Sequence, residues 1–167
     1  MAEKLTAQDV KDIEAEIEHR KVVVRHELLE HVKTARALGD LSENFEYHAA
    51  KKEKNANESR IRYLEKMLRT AEVIEDHTEA DEVGVNKTVL VRMEDTGEEV
   101  EYRVVTAVRG SSLRGLISIE SPIGKALLGH KPGETVTVET GAGTRYDVTV
   151  LRVETTELTE EDKIRAY

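Results

Sequence analysis

Apolar and small residues in the first quarter of the chain recur at Val10, Ile13, Ile17, Val24, Leu28, Ala35 and Leu38, mostly in steps of three, four or seven. That period places them on one face of an α-helix. Residues 7–38 contain neither Pro nor Gly. Thr6 is positioned to cap the start, with Asp9 as an acidic first-turn residue, and Gly39 to end the helix in the left-handed conformation. A second run follows at once. Tyr47, Ala50, Lys54, Asn57, Ile61, Leu64, Leu68 and Ala71 are separated by alternating steps of three and four, a heptad seam. Both runs are most aliphatic away from Gly39. They predict an antiparallel hairpin with Ile13 and Ile17 near Leu68 and Ala71, and Leu38 near Phe45. About 30 residues per helix at ~1.5 Å each make an arm of roughly 45 Å.

The pattern changes near residue 76. Asp76-His77-Thr78-Glu79-Ala80-Asp81-Glu82 is polar and reads as a linker. Period-2 segments follow at Thr88–Met93, Val100–Val108, Leu116–Glu120, Thr135–Thr140 and Arg145–Val153, with turn signals at Asp95-Thr96-Gly97, Gly110-Ser111-Ser112 and Gly141-Ala142-Gly143. Residues 123–128 read as a short helix behind Ser121-Pro122, where Pro suits the first turn. The chain is therefore expected to be α+β: a coiled-coil hairpin over residues 1–76, then an antiparallel sheet with one short helix over 77–167. The tail after Thr156 is acidic, and Thr159 and Asp162 are spaced to cap a last short turn.

Charge narrows the functions. The net charge is −9, with 14 Lys+Arg against 17 Asp+Glu in residues 1–76 and 11 against 17 beyond them. Neither part carries the basic footprint of a free nucleic-acid binder, so any nucleic acid is met through another protein or a local patch. The absence of Cys excludes disulfides and thiolate metal sites. The N-terminus is too polar for a secretory signal and no apolar run approaches ~20 residues, so the expectation is a cytoplasmic protein with no membrane span.

Two acids, Asp40 and Glu43, sit three apart between the helical runs. The spacing has two readings. In one, Asp40 caps the second helix and Glu43 completes a capping box. In the other, two carboxylates at the end of a stiff arm ligate a divalent cation such as Mg²⁺, with the remaining ligands supplied from elsewhere. Arg36 precedes this turn and Lys51, Lys52 and Lys54 follow it, either as an ordinary solvated face or as a small basic patch for an RNA phosphate. His19, His26 and His31 lack the i, i+4 pairing of a metal site. There is no Gly-rich phosphate loop and no nucleophile elbow, so the chain offers no self-sufficient active site.

The run from Ala35 to Ala50, with Gly39-Asp40-Leu41-Ser42-Glu43-Asn44 at its centre, resembles the signature of the bacterial Gre transcript-cleavage factors. Leu116-Ile117-Ser118 and Ser121-Pro122-Ile123-Gly124-Lys125-Ala126-Leu127-Leu128-Gly129 resemble a second family motif, and the order of parts agrees over nearly the whole chain. The resemblance implies an FKBP-like C-terminal domain that docks at the rim of the RNA polymerase secondary channel, a role that falls to Ser121, Pro122 and Ile123. It implies a hairpin that enters the channel as part of a monomeric factor. Asp40 and Glu43 would help hold a Mg²⁺ shared with the polymerase, with none bound independently. Arg36, Lys51 and Lys52 would face the backtracked RNA, which is cut near its 3′ end by the polymerase rather than by an enzyme activity of this chain. Phe45 stands where the family usually has a small residue.

Three other readings are distinguishable. A non-cleaving secondary-channel regulator would bind polymerase without releasing RNA fragments. A prolyl isomerase needs an aromatic-lined pocket, and residues 77–167 hold only Tyr102, Tyr146 and Tyr167. A coiled-coil adaptor for some other partner would be rejected by Asp40→Ala and Glu43→Ala variants that bind polymerase but lose cleavage.

Overall fold

The seam closes as a hairpin. In the computed structural model, which describes residues 2–39, 44–159 and 162–166, the chain forms two compact units, Met1–Glu3 with Ala7–Glu72 and Lys4–Thr6 with Val73–Tyr167. In the first, α1 (Ala7–His19) continues through a π-helical turn, Arg20–Val24, into α2 (Arg25–Arg36), and α3 (Phe45–Thr70) returns beside them. The π turn is absent from the sequence reading, and its cause is in the spacing. Positions 13, 17, 20, 24, 28, 32 and 35 are buried or half-buried, with a step of four where a heptad would take three, and 12, 16 and 25 are half-buried beside them. The extra residue is absorbed by one wide turn, which keeps the face aimed at α3.

Ile13, Ile61 and Leu64 are buried in the hairpin, while Ala35 and Ala50 provide its thin core near the turn. The middle of the seam is polar. Glu16 accepts from Arg60 Nε at 2.9 Å and from Arg20 Nε at 2.7 Å. Arg20 Nη1 also donates to Asn57 Oδ1 at 3.0 Å, and Arg25 forks onto Glu58 with bonds of 3.0 and 2.9 Å. Apolar layers tolerate sliding, whereas a polar layer of this kind is satisfied in one register only. Burial pushes the Glu16 carboxyl up, but the bonds from Arg60 and Arg20 outweigh it and hold it below its ordinary value. This layer's contribution is therefore complete above the pH range of an unfolded glutamate, ~4.3, and is lost on acidification below it. A Glu16→Gln hairpin should show a smaller loss of helix signal between pH 5 and 3 than wild type.

Beyond the short strands β1 (Lys4–Leu5) and β2 (Glu72–Val73), the second unit holds β3 (Lys87–Met93), β4 (Glu99–Val105), β5 (Leu116–Ser118), α4 (Pro122–Leu127), β6 (Thr135–Glu139) and β7 (Arg145–Thr155). Strands β3 to β7 make a five-stranded sheet in the order β5-β4-β3-β7-β6. The alternating Val residues of β3, β6 and β7 point into one core with Val104 and Leu127. The expectation of an antiparallel sheet holds for four strands. The edge strand β5 runs parallel to β4, with Arg103 opposite Leu116. Between them the chain turns back through two short 3-10 turns, Ala107–Arg109 and Ser112–Arg114, and through Gly115 at φ 69°, so β5 begins beside β4 and runs the same way.

The expected linker is folded. Residues 76–82 wrap the ammonium of Lys87, which is buried and donates to Thr78 Oγ1 at 2.8 Å, Glu79 O at 2.6 Å and Glu82 O at 2.9 Å. The acidic tail is also anchored. Asp162, buried, accepts from Thr159 N at 2.7 Å as the spacing foretold, and its own N–H donates to Thr159 O at 3.0 Å. Its other carboxylate oxygen meets Arg103 Nη1 at 2.9 Å and Arg114 Nη2 at 3.4 Å, and its carbonyl accepts from Arg109 Nη1. Among the described residues no helix is long and apolar enough to cross a membrane.

Candidate functional site

The end of the hairpin is built around Asn44. Its side-chain oxygen accepts from Tyr47 N at 3.0 Å and so caps α3, while its Nδ2 donates to Ala35 O at 2.6 Å in the last turn of α2. One amide thus satisfies a stray N–H of one helix and a carbonyl of the other. The sequence reading that made Asp40 the cap and Glu43 its capping-box partner is corrected by this arrangement, because α3 begins at Phe45, after both acids. A carboxylate accepts only and cannot close α2 as well, which is the physical reason the amide holds this position. The Asn-after-Glu pattern was the available signal for it. Asp40 and Glu43 themselves lie outside the described residues. Asn44→Ala is expected to cost ~1 kcal/mol, measurable as a lower hairpin melting temperature, since it removes the cap of α3 and its tie to the Ala35 carbonyl, which keeps its bond from Leu38 N.

The flanking cations are in place on both helices. Arg36 ends α2, with its guanidinium carbon 5.6 Å from the Tyr47 ring centroid and Nη2 at 3.4 Å from Tyr47 Oη. The hydrogen bond from Arg36, with help from Lys51 and Lys54, holds the Tyr47 phenol below its ordinary pKa. Lys51 and Lys52 are exposed. Leu38 and Phe45, expected to pack together, are both exposed, so no apolar clasp buries them. Among the described residues no group of three or more His, Asp or Glu side chains is arranged to hold a metal ion.

The second set of sequence candidates sits on α4. Ser121 Oγ accepts from Gly124 N at 3.1 Å and donates to Ser118 O at 2.6 Å, which caps the helix against β5. Ile123 packs on the sheet core and Pro122 is exposed. Gly124 is required here, because a Cβ would lie 1.9 Å from Ser118 O. The motif is thus partly explained by packing, with Pro122 its outward member.

A helical hairpin whose turn is flanked by cations, followed by a mixed sheet with one short helix, defines a two-unit α+β protein with its candidate chemistry at the end of an arm. Residues 3–73 match the N-terminal domain of the transcription elongation factors and residues 77–155 the GreA/GreB C-terminal domain. The chain belongs to the GreA/GreB family of transcription elongation factors. It is 50% identical over 140 residues to transcription elongation factor GreA of Caldanaerobacter subterraneus subsp. tengcongensis, covering 83% of this chain and 89% of that one. It is 44% identical over 160 residues to GreA of Streptococcus sanguinis, covering 93% and 99% respectively. A solved structure of GreA factor homolog 1 (Gfh1) of Thermus thermophilus is 26% identical, covers 92% of this chain and 99% of its own, and has a TM-score of 0.42.

Proposed function

We propose that the chain stimulates cleavage of backtracked RNA by RNA polymerase, inserting its hairpin into the secondary channel. It works as a monomer in the cytoplasm, where the polymerase acts. The observation that carries this reading is the capping of α3 by Asn44, which leaves the helix with no need of Asp40 and Glu43. Two carboxylates are hard oxygen donors of the kind Mg²⁺ takes, but too few to hold it alone. Asp40 and Glu43 therefore complete a site whose other ligands belong to the polymerase, and the chain binds no Mg²⁺ independently. A Mg²⁺ bound there would supply an activated water and neutralise charge at the scissile phosphate. Arg36, Lys51 and Lys52 hold the RNA phosphates beside the acids. Ser121, Pro122 and Ile123 dock the second unit at the channel rim, with Pro122 in direct contact. The chain contributes ligands and reach, while the hydrolytic centre stays in the polymerase.

The test is a stalled, backtracked elongation complex with labelled RNA. Adding the protein is expected to release short 3′ fragments and restart synthesis. Binding without fragment release would make it a channel regulator instead.

A further inference from the structure

We propose that Phe45, His48 and Lys52 form a strip on α3 that stacks on the 3′-terminal base of the backtracked RNA and neutralises the adjoining phosphate. The inference rests on the function proposed above and names the part of the substrate this face reads.

Phe45 is the first residue of α3 and is 85% exposed. The hairpin core at this end is Ala35 and Ala50, so the phenyl ring contributes nothing to packing. At about 100° per residue, positions 45, 48 and 52 fall within about 60° of one another on the helix. All three are exposed, so a phenyl ring, an imidazole and an ammonium line one outward face. Lys51 lies beside His48 on the same side, and Lys33 and Arg36 are exposed on the last turns of α2. The acids of this part of α3, Glu46 and Glu53, fall about 80–100° round from Phe45 on the opposite flank. Positive charge is thus gathered along the flank away from the acids. The Tyr47 ring centroid lies 5.6 Å from that of His48, and the Arg36 guanidinium also lies 5.6 Å from it.

Aromatic faces in line with cations match a single-stranded polyanion whose units each present a π-face. An apolar pocket on a protein partner would account for Phe45 but not for the cations in line with it. Stacking tolerates any base, so the strip selects for the presence of a base and against none of the four.

The experiment uses the full chain and a backtracked complex whose RNA carries 2-aminopurine at its 3′ end. Wild type is expected to quench the fluorophore. Phe45→Ala should lose the quench and slow cleavage about tenfold, the usual scale of one lost base stack, while Phe45→Trp keeps both. On RNA with an abasic 3′ nucleotide, wild type and Phe45→Ala should cleave at equal rates. Retention of quench and rate by Phe45→Ala overturns the proposal. So does an equal tenfold loss on the abasic RNA, which would place Phe45 against the polymerase. If Asp40→Asn with Glu43→Gln loses cleavage while Phe45→Ala loses nothing, this inference alone fails. If that double variant cleaves like wild type, the functional proposal fails with it.

Discussion

Replacing Asp40 with Asn and Glu43 with Gln together is expected to lower factor-stimulated RNA cleavage on the order of 100-fold or more, with the melting curve unchanged. The size follows from the work assigned to the acids. Two negative charges against a divalent ion at a scissile phosphate are worth several kcal/mol of transition-state stabilisation, and ~1.4 kcal/mol is a factor of ten in rate. The stability half of the prediction follows from Asn44. Were Asp40 the cap of α3, its loss would cost ~1 kcal/mol and blur the reading. Asn44 already supplies the acceptor for Tyr47 N and the donor for Ala35 O, and the amide variants leave both untouched. Cleavage assays and calorimetry on the same preparations check the two halves. Unaltered cleavage, or loss that tracks unfolding, would remove the acids from the chemistry.

Asp162→Ala is expected to destabilise the second unit by ~3–5 kcal/mol, because it strands buried positive charge. Among the described residues Arg103 finds no partner for its buried Nε and Nη2, while its Nη1 donates to Asp162 at 2.9 Å. For a unit of this size the loss corresponds to a melting temperature lower by roughly 15 °C or more. Acid should reproduce part of it. Burial pushes the Asp162 carboxyl up, but the Arg103 and Thr159 hydrogen bonds outweigh it and hold the pKa at about 2. An unfolded aspartate titrates near ~3.9, so this contribution is complete above about pH 4 and is lost as pH falls through 2. Its size is roughly 2 kcal/mol. The wild-type midpoint in urea should fall over that window, and the Asp162→Ala midpoint should be flatter across it.

The periodic parts of the chain were legible because burial repeats at the period of the element. The heptad steps from Tyr47 to Ala71 predict α3, and the alternating valines predict β3, β6 and β7 to within a residue or two at most ends. Where an interaction joins residues distant in sequence, no period announces it. Arg60 reads as a surface residue until Glu16 is found across the seam. Lys87 falls just before the strand that the alternation predicts from Thr88, and nothing local shows that residues 78–82 fold over its ammonium.

The amino-acid sequence by itself determined the two parts, the order of their elements and the identity of the acids on the turn, since all of these depend on local spacing and residue chemistry. The tertiary structure alone decided which residue caps α3, that β5 runs parallel to β4, and that the acidic tail is held by arginines. Each of those is a choice among partners that are locally equivalent, and only the packed chain brings the winning partner within hydrogen-bonding distance.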